Sequence, residues 1–133
     1  PSSSRGITVD SLDNIYVSSR LNTNVIVRKR SAGSGTWSTV DTIPNPGPGP
    51  GPYAMASGSG AIYMIANGTN SAGGYQPVIR KTVDAGGAWS TIADTANTSV
   101  PSFILSAVVT SDSKLFMAGF SADGISLGLP VRI

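Results

Sequence analysis

Three arginines recur at an interval of 52 residues, in Val27-Arg28-Lys29, Ile79-Arg80-Lys81 and Val131-Arg132-Ile133. Guanidinium forks match carboxylate and sulfate, so a set of equivalent arginines could bind anions. The bland alternative is that each lays its stem over apolar surface and meets a nearby carboxylate such as Asp41 or Asp94. Little else in the chain can do chemistry. Its 133 residues contain no His, Glu or Cys, and the only acids are seven Asp. That inventory removes the Ser-His-Asp triad, histidine and thiolate metal sites, and the commonest general bases. Two Asp could share acid and base work in a glycosidase. The sequence, however, puts all seven in turns or at strand ends, where solvated structural Asp belongs. No catalytic residue, metal or cofactor is expected.

The elements that carry these residues follow from the same period. Trp37 and Trp89 also stand 52 apart, within Gly35-Thr36-Trp37-Ser38-Thr39-Val40 and Gly87-Ala88-Trp89-Ser90-Thr91-Ile92. Apolar and polar residues alternate in short runs separated by turn residues, which is strand patterning. A strand-rich repeat near 50 residues predicts a propeller of four-stranded blades.

Blade one spans 6–43, with strands at 6–9, 14–18, 24–31 and 36–43. The Pro/Gly alternation at 44–52 cannot continue a sheet and reads as a connector. Blade two spans 53–99, with strands at 53–56, 61–66, 75–83 and 88–94. Blade three, 102–133, has strands at 103–110, 114–120 and 127–133 and lacks its outer strand. Tyr16, Tyr63 and Phe116 fall at matching places in the second strands. The expected fold is all-β: about three blades, whose bare flanks call for another copy of the chain or a second chain to complete the ring. The arginines then sit on third strands, far from the propeller axis, which favours the bland reading of them.

One turn is more specific. Thr82-Val83-Asp84-Ala85-Gly86-Gly87-Ala88-Trp89 resembles the Asp-box, the Ser/Thr-x-Asp-x-Gly-x-Thr-Trp turn between the third and fourth strands of sialidase-type propeller blades. Thr82, Asp84, Gly86 and Trp89 match, and Ala88 replaces a Thr. The blade-one copy keeps Thr36 and Trp37 but has Ala32 in place of the Asp. The surrounding strands resemble long-period repeats of exported bacterial propellers. The resemblance implies a fold and not an activity: sialidases use a Tyr nucleophile assisted by Glu, and this chain has no Glu. It implies that Asp84 staples its own turn while Trp89 and Trp37 are plates between blades.

Loops on a rigid scaffold are the better place to look for function. Those joining second to third strands hold small polar residues beside aromatics. Asn70 with Tyr75, and Asp123 with Phe120, have the composition of a weak sugar or surface-binding site. Composition narrows the partners. Charged residues are 12% of the chain and the net charge is +2, too small a field to gather nucleic acid. No apolar run approaches the roughly 18 residues of a membrane span, and the first residues carry no apolar leader. A Ser/Thr/Gly/Asn-rich, charge-poor surface suits a secreted or cell-surface bacterial protein. The expected function is glycan or surface-partner binding without turnover. A purely structural repeat module is the alternative, and a glycosidase-like fragment the third reading.

Overall fold

A computed structural model describes residues 3–44, 52–69, 75–83, 87–94, 102–121 and 126–131, with no helix among them. These residues form β1 (Ser3–Val9), β2 (Ile15–Leu21), β3 (Asn24–Arg30), β4 (Trp37–Pro44), β5 (Pro52–Gly58), β6 (Ala61–Thr69), β7 (Tyr75–Val83), β8 (Ser90–Asp94), β9 (Ser102–Val109), β10 (Leu115–Ser121) and β11 (Ser126–Val131). They make three antiparallel sheets in simple meander order: β1-β2-β3-β4, β5-β6-β7-β8 and β9-β10-β11. Strands and turns thus fall where period-two patterning places them, within a few residues at each end.

Turn chemistry sets each hairpin. Between β5 and β6 the two turn residues Ser59 and Gly60 both have positive φ, 51° and 74°, as a type I′ turn requires to match the strand twist. Gly60 adopts this at no steric cost. The β1–β2 and β9–β10 hairpins are longer, and each places one residue in the left-handed region at its last turn position, Asp13 and Ser113. Bulges recur with the repeat. The β3–β4 pairing slips between Val27 and Arg28, and the β7–β8 pairing between Ile79 and Arg80.

The three sheets stack face to face, with β5 lying between β1 and β9. One core, between the first and second sheets, gathers Tyr16, Val25, Val27, Met55, Ile62, Met64 and Ala66. The other, between the second and third, gathers Tyr63, Ile65, Ile79, Ile104, Leu115 and Met117 with three alanines. Alternate residues of β6 feed opposite cores, so Ala61 to Asn67 are all buried. β2 and β10 alternate instead between buried and more exposed positions, because among the described residues only one face of each outer sheet is covered. Close approach of β1 to β5 requires Gly6. A Cβ there would stand 2.5 Å from Ser18 Oγ, 2.8 Å from Met55 Cγ and 3.0 Å from the Ala54 carbonyl carbon.

Two Asp depart from the expectation of solvated turn residues. Asp10 is buried, 5% exposed. Asp41 lies inside β4, half-buried and opposite Val27. In each case the carboxylate has hydrogen-bond donors that replace water, which is what permits its burial.

Candidate functional site

At the first-to-second-strand end of the stack, polar side chains are tied to their own turns and to neighbouring sheets. At the β1–β2 end, Asp10 Oδ1 accepts from the backbone N–H of Leu12 and of Asn14, each at 2.9 Å. Its Oδ2 accepts from Asn14 Nδ2 at 2.8 Å and from the Tyr16 hydroxyl at 3.1 Å. The Asn14 side-chain oxygen then accepts from the Ala32 N–H at 3.0 Å. Asn14 therefore supplies the β3–β4 turn of the first sheet with an acceptor that the Ala32 side chain cannot supply. The sequence reading placed the turn at Asp10 but missed its role. An Asp followed at the second and fourth positions by turn residues is the available signal, since a short carboxylate there bonds its own backbone.

This hairpin end is also laced across sheets. Ser57 Oγ donates to the Val9 carbonyl at 2.6 Å and accepts from Thr8 Oγ1 at 2.8 Å. Ser59 Oγ lies 3.4 and 3.3 Å from the carbonyls of Thr110 and Ser111. In the third sheet Thr110 Oγ1 accepts from Lys114 N–H at 3.2 Å and donates to Asp112, which also receives the Lys114 ammonium. First Lys114 and then Thr110 hold the Asp112 carboxyl below its ordinary pKa.

Between the first two sheets, Arg80 grips Asp41 with a two-pronged fork. Nη2 donates to Oδ1 at 2.6 Å and Nε to Oδ2 at 2.9 Å, while Nη1 reaches Thr91 Oγ1 at 3.1 Å. Both side chains are largely shielded, 18% and 8% exposed, and the planar fork holds the strand positions as a lysine could not. Arg28, at the equivalent register, is exposed and, among the described residues, makes one long contact, 3.4 Å to the Trp37 carbonyl. It borders a shallow cavity of about 360 Å³ shared with Ser4, Ser19, Arg20, Leu21, Ile26 and Thr39. Arg132 lies outside the described residues.

Trp89 packs against the core between the first and second sheets, its indole N–H buried without an acceptor among the described residues. Trp37, half-exposed, lines a smaller recess with Ser4, Val17, Ser19 and Arg28. Thr82 is buried on β7, opposite Ile62, whereas Asp84 and Gly86 lie outside the described residues. A second repeated contact went unnoticed in the sequence. Lys29 caps the Tyr16 ring at 5.8 Å and Lys81 the Tyr63 ring at 5.5 Å. Each pair sits directly opposite across β2–β3 or β6–β7, where cross-strand neighbours meet.

Of the expected ligand-contacting residues, Asn70 and Asp123 lie outside the described residues. Tyr75 opens β7 opposite Thr69, and Phe120 pairs with Phe103 and Ser126 on β10. The meander puts both at the second-to-third-strand end of adjacent sheets, opposite the hairpins that are bonded to one another. No group of three His, Cys, Asp or Glu able to hold a metal occurs among the described residues, and no helix among them is long and apolar enough to cross a membrane.

No protein-family model matches the chain, and no curated protein sequence is similar to it. Its structure is similar to that of a family GH43 β-1,3-galactosidase solved with galactodeoxynojirimycin. The TM-score is 0.57 at 15% identity, over 99% of this chain. The chain is built of β-propeller blades. Two have four strands and the third, among the described residues, has three. It spans 43% of the length of that galactosidase, and at this identity the likeness speaks for fold alone.

Proposed function

We propose that this chain is a non-catalytic binding segment of a propeller, related to the Asp-box type, that recognises a glycan or another surface partner through its second-to-third-strand loops. The observation that carries the reading is the placement of Tyr75 and Phe120 at the second-to-third-strand end of adjacent sheets, away from the bonded hairpins. At the hairpin end, Asp10, Asn14, Ser57, Ser59 and Thr110 spend their polar groups on turns and on neighbouring sheets. In the sequence, Tyr75 on β7 and Phe120 on β10 adjoin segments of small polar residues, a composition that suits the apolar face and hydroxyl rim of a sugar. Thr82 and Trp89, at either side of the Asp-box turn, support the kinship with Asp-box blades.

Absence of Glu and His from the sequence argues for binding over turnover. The structurally similar galactosidase makes galacto-configured oligosaccharides the first ligands to try. A Ser/Thr/Gly-rich, charge-poor surface fits a secreted or cell-surface bacterial location. The experiment is a titration of β-1,3-galactooligosaccharides followed by NMR shifts, with Tyr75→Ala and Phe120→Ala as probes. Saturable binding lost in both variants at unchanged melting temperature is expected. Binding that neither substitution touches would move the site elsewhere, and steady release of galactose would overturn the non-catalytic reading. The lacing between blades favours a second reading, a purely structural repeat module, for which no ligand would be found.

A further inference from the structure

The outward face of the first sheet carries apolar residues, an arginine and a tryptophan at the same register as those that the second sheet turns toward the first. Val17 and Ile15 on β2 correspond to Met64 and Ile62 on β6, which are fully buried. Ile7, opposite Val17, corresponds to Met55, opposite Met64. Ile7 is 68% exposed and Met55 7%. Arg28 and Trp37 correspond to Arg80 and Trp89, and both arginines follow the same bulge and face a threonine, Thr39 or Thr91. On the second sheet the guanidinium holds Asp41 and the indole meets the intersheet core. On the first sheet the same two groups line recesses open to solvent.

We propose that this face, from Ile7 and Val17 to Arg28 and Trp37, is the docking surface for a further four-stranded blade of the same repeat. That blade carries an outer-strand carboxylate for Arg28 and precedes blade one in the same polypeptide. Direction follows from the interface already in the molecule: the earlier repeat gives the carboxylate and the outer strand, and the later repeat gives the arginine and the tryptophan. A partner presenting only three strands leaves Arg28 unmatched, because Asp41 sits on a fourth strand. Apolar contact over Ile7 and Val17 supplies the attraction, and the guanidinium sets the register.

The test extends the 133-residue chain at its N-terminus by a second copy of its own residues 1–52, blade one and the connector. The extended chain is expected to unfold in one transition at higher denaturant than the parent. Arg28→Gln and, in the added blade, Asp41→Asn should be coupled by about tenfold in the folding constant, the size of a hydrogen bond to a charged group. Arg28→Gln in the parent chain should change nothing measurable. Val17→Lys should likewise leave the parent intact and abolish the gain in the extended chain. Separate unfolding of the added blade, or a gain indifferent to all three substitutions, would overturn the proposal. So would sedimentation showing the parent to be a dimer that Val17→Lys or Arg28→Gln dissociates, because the face would then belong to a second copy.

Discussion

Arg80 and Arg28 occupy the same register of the same repeat, yet one is the centre of an interface and the other a surface group. Arg80 has the Asp41 carboxylate on its fork and Thr91 on its third nitrogen, shielded by the sheets around it. Among the described residues Arg28 has one long contact, to the Trp37 carbonyl, and it is exposed. Trp89 packs against the intersheet core while Trp37 lines an open recess, although both remain partly exposed. The side chains are identical, so the difference lies in the neighbouring sheet: a repeat specifies what a blade offers, and the next blade decides what the offer is worth. Tyr16, Tyr63 and Phe116 show the same on the opposite faces. The first two are 0% and 2% exposed beneath the following sheet, and Phe116 is 39% exposed.

The sharpest way to break this comparison is to truncate the two tryptophans. Trp89→Ala should cost about 3 kcal/mol, the low end for a large aromatic because the side chain is only partly buried. Trp37→Ala should cost well under half of that. Urea unfolding of the two variants measures both, and equal losses would show that the two faces are not distinguished by packing.

Asp10→Ala comes next, at about 2 to 3 kcal/mol. It strands two backbone donors and two side-chain donors that fold around one buried carboxylate. Asn14→Ala should lose part of this and additionally loosen the Ala32 turn, seen as faster amide exchange at Ala32.

Asp41→Ala should cost about 1 to 3 kcal/mol, because it leaves a mostly shielded guanidinium without its partner. Arg28→Ala should fall within about 0.5 kcal/mol of the parent, as surface changes do. A double-mutant cycle of Asp41→Ala with Arg80→Ala reports the pair itself, and a coupling near zero would make the fork a surface ornament.

The smallest effect belongs to Asp112, exposed on the third-sheet hairpin. Its folded pKa is lowered by Lys114 and Thr110, so the stability it contributes is present above the ordinary carboxylate range. That contribution disappears as pH falls through the lowered value. Asp112→Asn should therefore unfold at the same denaturant concentration as the parent in strong acid and slightly earlier near neutrality. A difference that grows toward acid would reverse the sign.

Period and patterning were legible without coordinates. Spacing alone marked the repeat, alternation marked the strands, and Gly, Pro, Asn and Asp marked the turns, because backbone sterics and period-two side-chain placement act within a few residues. That Arg80 would meet Asp41 was legible as one candidate pairing. Its exclusiveness was not, because Asp41 has Ala93 at the equivalent place 52 residues on, and nothing local says whether a carboxylate or a methyl group faces the next blade. The burial of Asp10 was equally hidden. A turn Asp reads as solvated until the Tyr16 hydroxyl and the Asn14 amide are brought over it, and they come into place only when β2 pairs with β1 and packs against β5. Local sequence determined where the described strands and turns fall. Tertiary stacking decided which faces are dry and which arginine is an anchor, since desolvation depends on the neighbouring sheet and not on the residue itself.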